Sequence, residues 1–216
     1  MKTTLRRTAG IVSVLALSFA LTACGDDADN SGSDDTGKTD TTTSMDAGAQ
    51  TFGAACSAVP TSGPGSFDGM VKDPVATAAS NNPLLSTLVT AVTSVDGLAD
   101  TLNGSKALTV FAPTNDAFGE IPAKDLNALV AGAKKDGQKS ALYSVLAHHV
   151  LGENDDPGSV AGDKTTLAGD KLTIKGDAES GMTVTDGTVT ANVLCGNIPT
   201  ANATVYVIDK VLTGVK

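Results

Sequence analysis

The chain has 216 residues, a formal net charge of −9 and 18% charged side chains, and its only arginines, Arg6 and Arg7, stand near the start. The lysines are scattered among acids, so no basic stripe exists to follow a phosphate backbone, which argues against a nucleic-acid partner. A length of 216 with 41% apolar residues fits one domain with a sizeable core.

The first elements are targeting signals. Lys2, Arg6 and Arg7 precede an apolar run from Ala9 to Leu21, which is too short for a comfortable membrane span. Residues 1–23 therefore read as a signal peptide. Leu21-Thr22-Ala23-Cys24 resembles a bacterial lipobox, which implies cleavage before Cys24 and acylation of its thiol. Such an anchor would hold the protein on the extracellular face of a cell membrane, with a released, secreted form as the alternative. Residues 24–50 read as lipidated Cys24 followed by a disordered acidic tether. Met45 is the only large apolar residue between Gly25 and Gln50, and such a composition cannot offset its ordering entropy. Loss of Lys2, Arg6 and Arg7 takes the formal charge from −9 to −12.

The folded domain is expected over residues 51–216. With Cys24 committed to lipid, Cys56 and Cys195 are the remaining cysteines of an exported protein and are expected to form a disulfide. Asp73-Pro74 and Asn82-Pro83 each place a capping side chain before a proline at a first helical position. One-face spacing of Leu84, Leu85, Leu88, Val89 and Val92 predicts an amphipathic helix. Leu126, Leu129 and Val130 predict a second, and Ala141, Leu142, Val145 and Leu146 a third. Leu108–Ala112 reads as a short strand ending at Pro113. Beyond residue 150 come short alternating runs: Leu172 and Ile174, Met182 and Val184, Val189 with Ala191 and Val193, then Val205–Ile208. Turn pairs Gly169-Asp170 and Asp186-Gly187 separate them, so antiparallel strands are expected. Helices first and strands afterwards predict the α+β class.

Candidate chemistry is sparse. His148 and His149 are the only histidines, and no G-x-S-x-G or S-x-x-K motif accompanies them, so no catalytic residue and no cofactor is expected. His149 falls near the middle of the apolar face of its helix and is expected to be buried and hydrogen-bonded. Glu153-Asn154-Asp155-Asp156 lacks the alternation and central glycine of a calcium loop and reads as a solvated acidic turn, with no metal expected. Asn103-Gly-Ser and Asn202-Ala-Thr are glycosylation sequons by spelling alone. Phe67–Met70 and Glu120–Lys124 are candidate surfaces for a partner.

Three stretches carry a family likeness: Leu108-Thr-Val-Phe-Ala-Pro-Thr-Asn-Asp-Ala-Phe118, Leu146-Ala-His-His-Val150, and Ala203-Thr-Val-Tyr-Val-Ile-Asp-Lys-Val-Leu212. Together they resemble a fasciclin domain over about residues 67–213, most similar to the fasciclin-domain surface antigens of mycobacteria and their actinobacterial relatives. The resemblance implies an antiparallel β-wedge or sandwich with packed helices and an extracellular role in adhesion or ligand binding, without known catalysis. It also implies that Phe111, Pro113, Thr114, Asn115, Phe118, His149 and Asp209 are mainly structural motif residues. Eukaryotic matrix members carry a tyrosine-histidine pair linked to integrin binding. Here His148 stands in place of the tyrosine and only His149 matches. The expected function is attachment to an extracellular protein or polymer, with carriage of a small apolar ligand or cell-wall lipid as the alternative.

Overall fold

The structure is a computed structural model that describes residues 46–215. The expected signal peptide, Cys24 and the tether up to residue 45 lie outside the described residues. The tether boundary expected at residue 50 needs correction. Ala47 donates to Asp68 Oδ1 at 3.2 Å, and Asn197 Nδ2 donates to the Gln50 carbonyl at 3.0 Å, so residues 46–50 form a turn held on the domain.

The helical part comprises α1 (Phe67–Met70), α2 (Val75–Ser80), α3 (Ser86–Thr93), α4 (Leu98–Gly104), α5 (Asn115–Gly119), α6 (Ala123–Asp136) and α7 (Ala141–His148). Strand β1 (Leu108–Pro113) lies among them. After α7 come β2 (Val150–Leu151), β3 (Gly162–Thr165), β4 (Lys171–Asp177), β5 (Gly181–Thr185), β6 (Thr190–Pro199) and β7 (Ala203–Ile208). The strands form one sheet in the order β2-β1-β7-β6-β5-β4-β3. Its two edges meet where Leu151 bridges Thr166 and the Leu167 amide donates to the Val150 carbonyl at 2.8 Å, which makes a nearly closed wedge.

The all-antiparallel expectation fails at one pairing. β1 and β7 run parallel, with Val110 opposite Val205 and Phe111 opposite Tyr206, so the sheet is mixed. Both strands are buried along their whole length, as a parallel pair covered on two faces must be. Strand alternation then divides the core. Leu108, Val110, Ala112, Val205 and Val207 meet the helices, whereas Phe111, Tyr206 and Ile208 join Leu172, Ile174, Met182, Val184 and Ala191 inside the wedge. Leu212 packs in this inner cluster beyond the end of β7. Sequence patterning misses β2, which has two residues, and β3, whose Gly-Asp-Lys-Thr is largely exposed.

The expected cap on the first Asp-Pro pair also needs correction. Pro74 is the N-cap of α2, without a side-chain bond, and Asp73 instead accepts from Asn81 Nδ2 at 3.3 Å. Remote asparagines take over the capping. Asn202 Oδ1 accepts from the Val75 amide at 2.9 Å and Asn103 Oδ1 from the Ala76 amide at 2.9 Å. Asn202 Nδ2 donates to the Leu102 and Ser105 carbonyls, each at 2.8 Å, so one side chain joins the start of α2 to the end of α4. Asn82 does act as expected, accepting from the Leu84 amide at 3.0 Å to open a short 3₁₀ turn before α3.

Cys56 and Cys195 are joined by a disulfide across a sequence separation of 139. The bond pins the segment before α1 onto β6, beside the bridge between Phe52 and Gly196. A Cβ at 196 would collide with the Phe52 ring where it now lies, so glycine lets that ring pack directly on β6. Next to it Asn197 is the non-glycine residue with positive φ (58°) among the described residues, at a register shift of β6 on β7.

Reduction with dithiothreitol should lower the stability by up to roughly 4–5 kcal/mol, seen as a fall in the urea midpoint; an unmoved midpoint would show that the bridge constrains little. Asn202→Ala, which frees the Val75 amide of α2 and strands the Leu102 and Ser105 carbonyls at the end of α4, should cost about 2–3 kcal/mol by the same measurement.

Candidate functional site

The two histidines stand where α7 gives way to β2. Ser140 opens α7, its hydroxyl accepting from the Tyr143 amide at 3.1 Å. The helix buries Leu142, Leu146, Ala147 and His148 and ends at His149, which is its C-cap. The His149 ring has two backbone partners. Nε2 accepts from the Leu212 amide at 3.0 Å, and Nδ1 lies 2.7 Å from the Val145 carbonyl. Because Leu212 offers a proton to Nε2, the proton of the neutral ring must sit on Nδ1 and be donated to Val145. Burial pushes the imidazole down to about 4, outweighing the Val145 bond, which favours the charged form.

His148 is fully buried on the other side of the junction. Its Nδ1 lies 3.2 Å from Asp170 Oδ2 and its Nε2 lies 3.7 Å from Asp186 Oδ2, ion-pair distances without hydrogen-bond geometry. The Asp186 carboxylate accepts from the amides of Thr188 (2.7 Å), Val189 (2.6 Å) and Gly214 (2.7 Å). Burial pulls this carboxyl upward, but the amide bonds and neighbouring His148 outweigh it and hold it below the usual carboxylate range. The pair therefore ties α7 to the β3–β4 turn, the β5–β6 turn and the segment after β7. Among the described residues, neither ring is hydrogen-bonded to a hydroxyl or thiol.

The other motif residues are distributed through the fold. Phe111 lies in the inner cluster and Phe118 among the helices; Pro113 ends β1. Thr114 caps α5 by accepting from the Ala117 amide at 3.3 Å. Asn115 reaches outward instead: Oδ1 accepts from the Thr87 amide at 2.9 Å and Nδ2 donates to the Pro83 carbonyl at 2.9 Å, which fixes the start of α3. Asp209 accepts from the Asn192 amide (2.7 Å) and side chain (2.6 Å), a clamp between β6 and the end of β7.

The acidic turn is engaged by its surroundings. Asp155 pairs with Lys164 at 2.9 Å, Asn154 accepts from Thr204 at 2.6 Å, and Thr109 donates to the Glu153 carbonyl at 2.7 Å. Among the described residues no three His, Cys, Asp or Glu side chains are grouped to hold a metal, and no helix is long and apolar enough to cross a membrane. Phe67 and Met70, considered from sequence as a partner surface, pack against the helical core; Glu120 and residues 122–124 are exposed.

A cavity of about 270 Å³ opens on the helical side of the histidine junction. Residues of α2, α3, α4 and α7 form its walls, with Val110, Phe111 and His149 also lining it. Sequence patterning gives no sign of it, since the side chains involved read as ordinary core positions.

A fasciclin domain family model matches residues 83–214. The chain belongs to the fasciclin family. Cell surface glycolipoprotein MPB83 of Mycobacterium bovis is 41% identical to this fasciclin chain over 180 residues, covering 80% of it and 76% of the relative. Immunogenic protein MPB70 of the same species is 41% identical over 154 residues, covering 69% and 74%. A solved FAS1 domain pair from the insect cell adhesion molecule fasciclin I is similar at 20% identity and a TM-score of 0.47, covering 60% of this chain and 44% of that one. With a family match over these residues, the motif likeness and the α+β wedge agree, and the fold is that of a fasciclin domain.

His149 must stay neutral to hold Leu212, so its contribution to stability is complete above pH 6.5 and falls as the pH drops from 6.5 towards about 4. Full loss is worth on the order of 3 kcal/mol. His149→Gln keeps an acceptor for Leu212 but cannot titrate. The stability gap between wild type and this variant should shrink by about that amount between pH 7 and 4 in urea melts, and a gap constant with pH would refute the role.

Proposed function

We propose that the protein is a cell-surface binding module, anchored by lipid on Cys24 to the extracellular face of the membrane, that attaches to an extracellular protein or polymer. Family membership carries this reading, because relatives over most of the chain are named as a cell surface glycolipoprotein and an immunogenic protein. The Leu21-Thr22-Ala23-Cys24 motif supports the anchor. The fold suits a contact function: its polar motif residues are spent on holding elements together, which leaves the loops to meet a partner. A second reading, a carrier of a small apolar ligand, is favoured by the apolar-lined cavity beside α7, and recovery of one stoichiometric lipid from purified protein would support it.

The first reading is tested with wild type and Cys24→Ala in an actinobacterial host. Wild-type protein should begin at an acylated Cys24 by intact mass and partition into detergent, with the variant remaining in water. A deletion strain should lose attachment to immobilised extracellular polymer or matrix protein, and only the anchored form should restore it. Water-soluble wild type removes the anchor, and unchanged attachment of the deletion strain removes the adhesive role.

A further inference from the structure

We infer that the cavity beside α7 takes a single aliphatic chain, inserted tail first with its polar head left outside. This rests on the carrier reading and specifies the ligand class. The volume of about 270 Å³ lies near the roughly 300 Å³ at which small-molecule pockets begin, and is well above the roughly 150 Å³ in which a dry hydrocarbon cavity houses benzene. One apolar side chain from a protein partner would therefore leave the space part-empty, whereas a flexible chain can fill it.

Wall chemistry sets the class. Val75, Leu88, Val92, Leu98, Leu102 and Leu146 dominate, and no Asp, Glu, Lys or Arg lines the space. A charged head drawn inside would lose its hydration without a counter-ion. The polar wall groups are already engaged. Both His149 nitrogens are held by backbone, Asn103 caps α2 and accompanies Thr77, and Ser80, Thr93 and Thr101 each donate to a carbonyl of their own helix. Tyr143 is the exception: half-buried, with no hydrogen-bond partner for its hydroxyl among the described residues. It supplies one bond to a hydroxyl or ester on the ligand.

The exposed side also has a marker. Leu167 is 50% exposed, the large apolar side chain standing in solvent among the described residues, and it belongs to the cavity lining. Its amide holds the Val150 carbonyl at the seam where the sheet edges meet, so it forms an apolar lip on a fixed part of the fold. A lone exposed leucine is ordinary; one on the lip of an uncharged cavity extends the apolar path outward to meet the chain.

The test is equilibrium dialysis of the full-length protein, stripped of lipid, against tritiated 1-dodecanol. Wild type should bind one equivalent. Val92→Trp and Ala99→Trp, which fill the space from two different helices, should each weaken binding about tenfold or more while retaining the wild-type circular dichroism spectrum. Tyr143→Phe should weaken dodecanol and leave dodecane unchanged. If dodecanol binds and neither tryptophan variant weakens it, the cavity assignment is wrong although a carrier role survives. If dodecanol does not bind but a different stoichiometric ligand is extracted from the native protein, the ligand class is wrong. If nothing binds and nothing is extracted, the carrier reading falls as well.

Discussion

The joint between the helices and the sheet depends on a buried neutral imidazole that ties the end of α7 to a backbone segment remote in sequence. His149 sits at the end of α7, donates back to Val145 within its own helix, and accepts from Leu212 beyond the last strand. A single ring thus fixes the exit angle of α7, the entry into β2 and the return of the chain after β7. The arrangement is possible only for a side chain that is donor and acceptor at once, and a neutral histidine has that property in a rigid plane. The cost of charging it in so dry a place holds the ring neutral, the form that both bonds require. His148 extends the junction on the other side, where two carboxylates from separate β-turns face its nitrogens.

The same economy recurs in the asparagines. Asn202 and Asn103 cap α2, and Asn115 fixes the start of α3. Short helices such as α2, of six residues, are marginal by themselves, and here their open amides are satisfied by side chains arriving from other elements. Stability is therefore spread over long-range polar contacts in addition to the two apolar clusters, and the disulfide between Cys56 and Cys195 ties the start of the domain into that network. Polar residues occupied in this way act first as structural ties between elements.

What the fold leaves open is an uncharged space between the helices and β1. It arises because α2, α3, α4 and α7 lean on one side of the sheet while their small residues, Ala76, Ala79, Ala99 and Ala147, line the gap. Alanines bring helices near without filling the volume between them. The cavity and the histidine junction share a wall, so any occupant would rest against the His149 ring.

The sequence by itself determined the local elements and the family. One-face spacing at Leu84–Val92 and Ala141–Leu146, the Asn82-Pro83 start, the alternating runs after residue 150 and the burial of His149 were all legible, because each depends on neighbours within a turn or a strand pair. Other features were decided by tertiary structure alone. The parallel pairing of β1 with β7, the two-residue β2, the polar edge strand β3, the capping of α2 by Asn202 in place of Asp73, and the placing of Asp170 and Asp186 around His148 join residues far apart along the chain. Periodicity reports which side of an element faces inward. It carries no information about which distant partner waits there, and that partner decides whether an asparagine is a cap, an aspartate a turn residue, or a row of alanines the wall of a cavity.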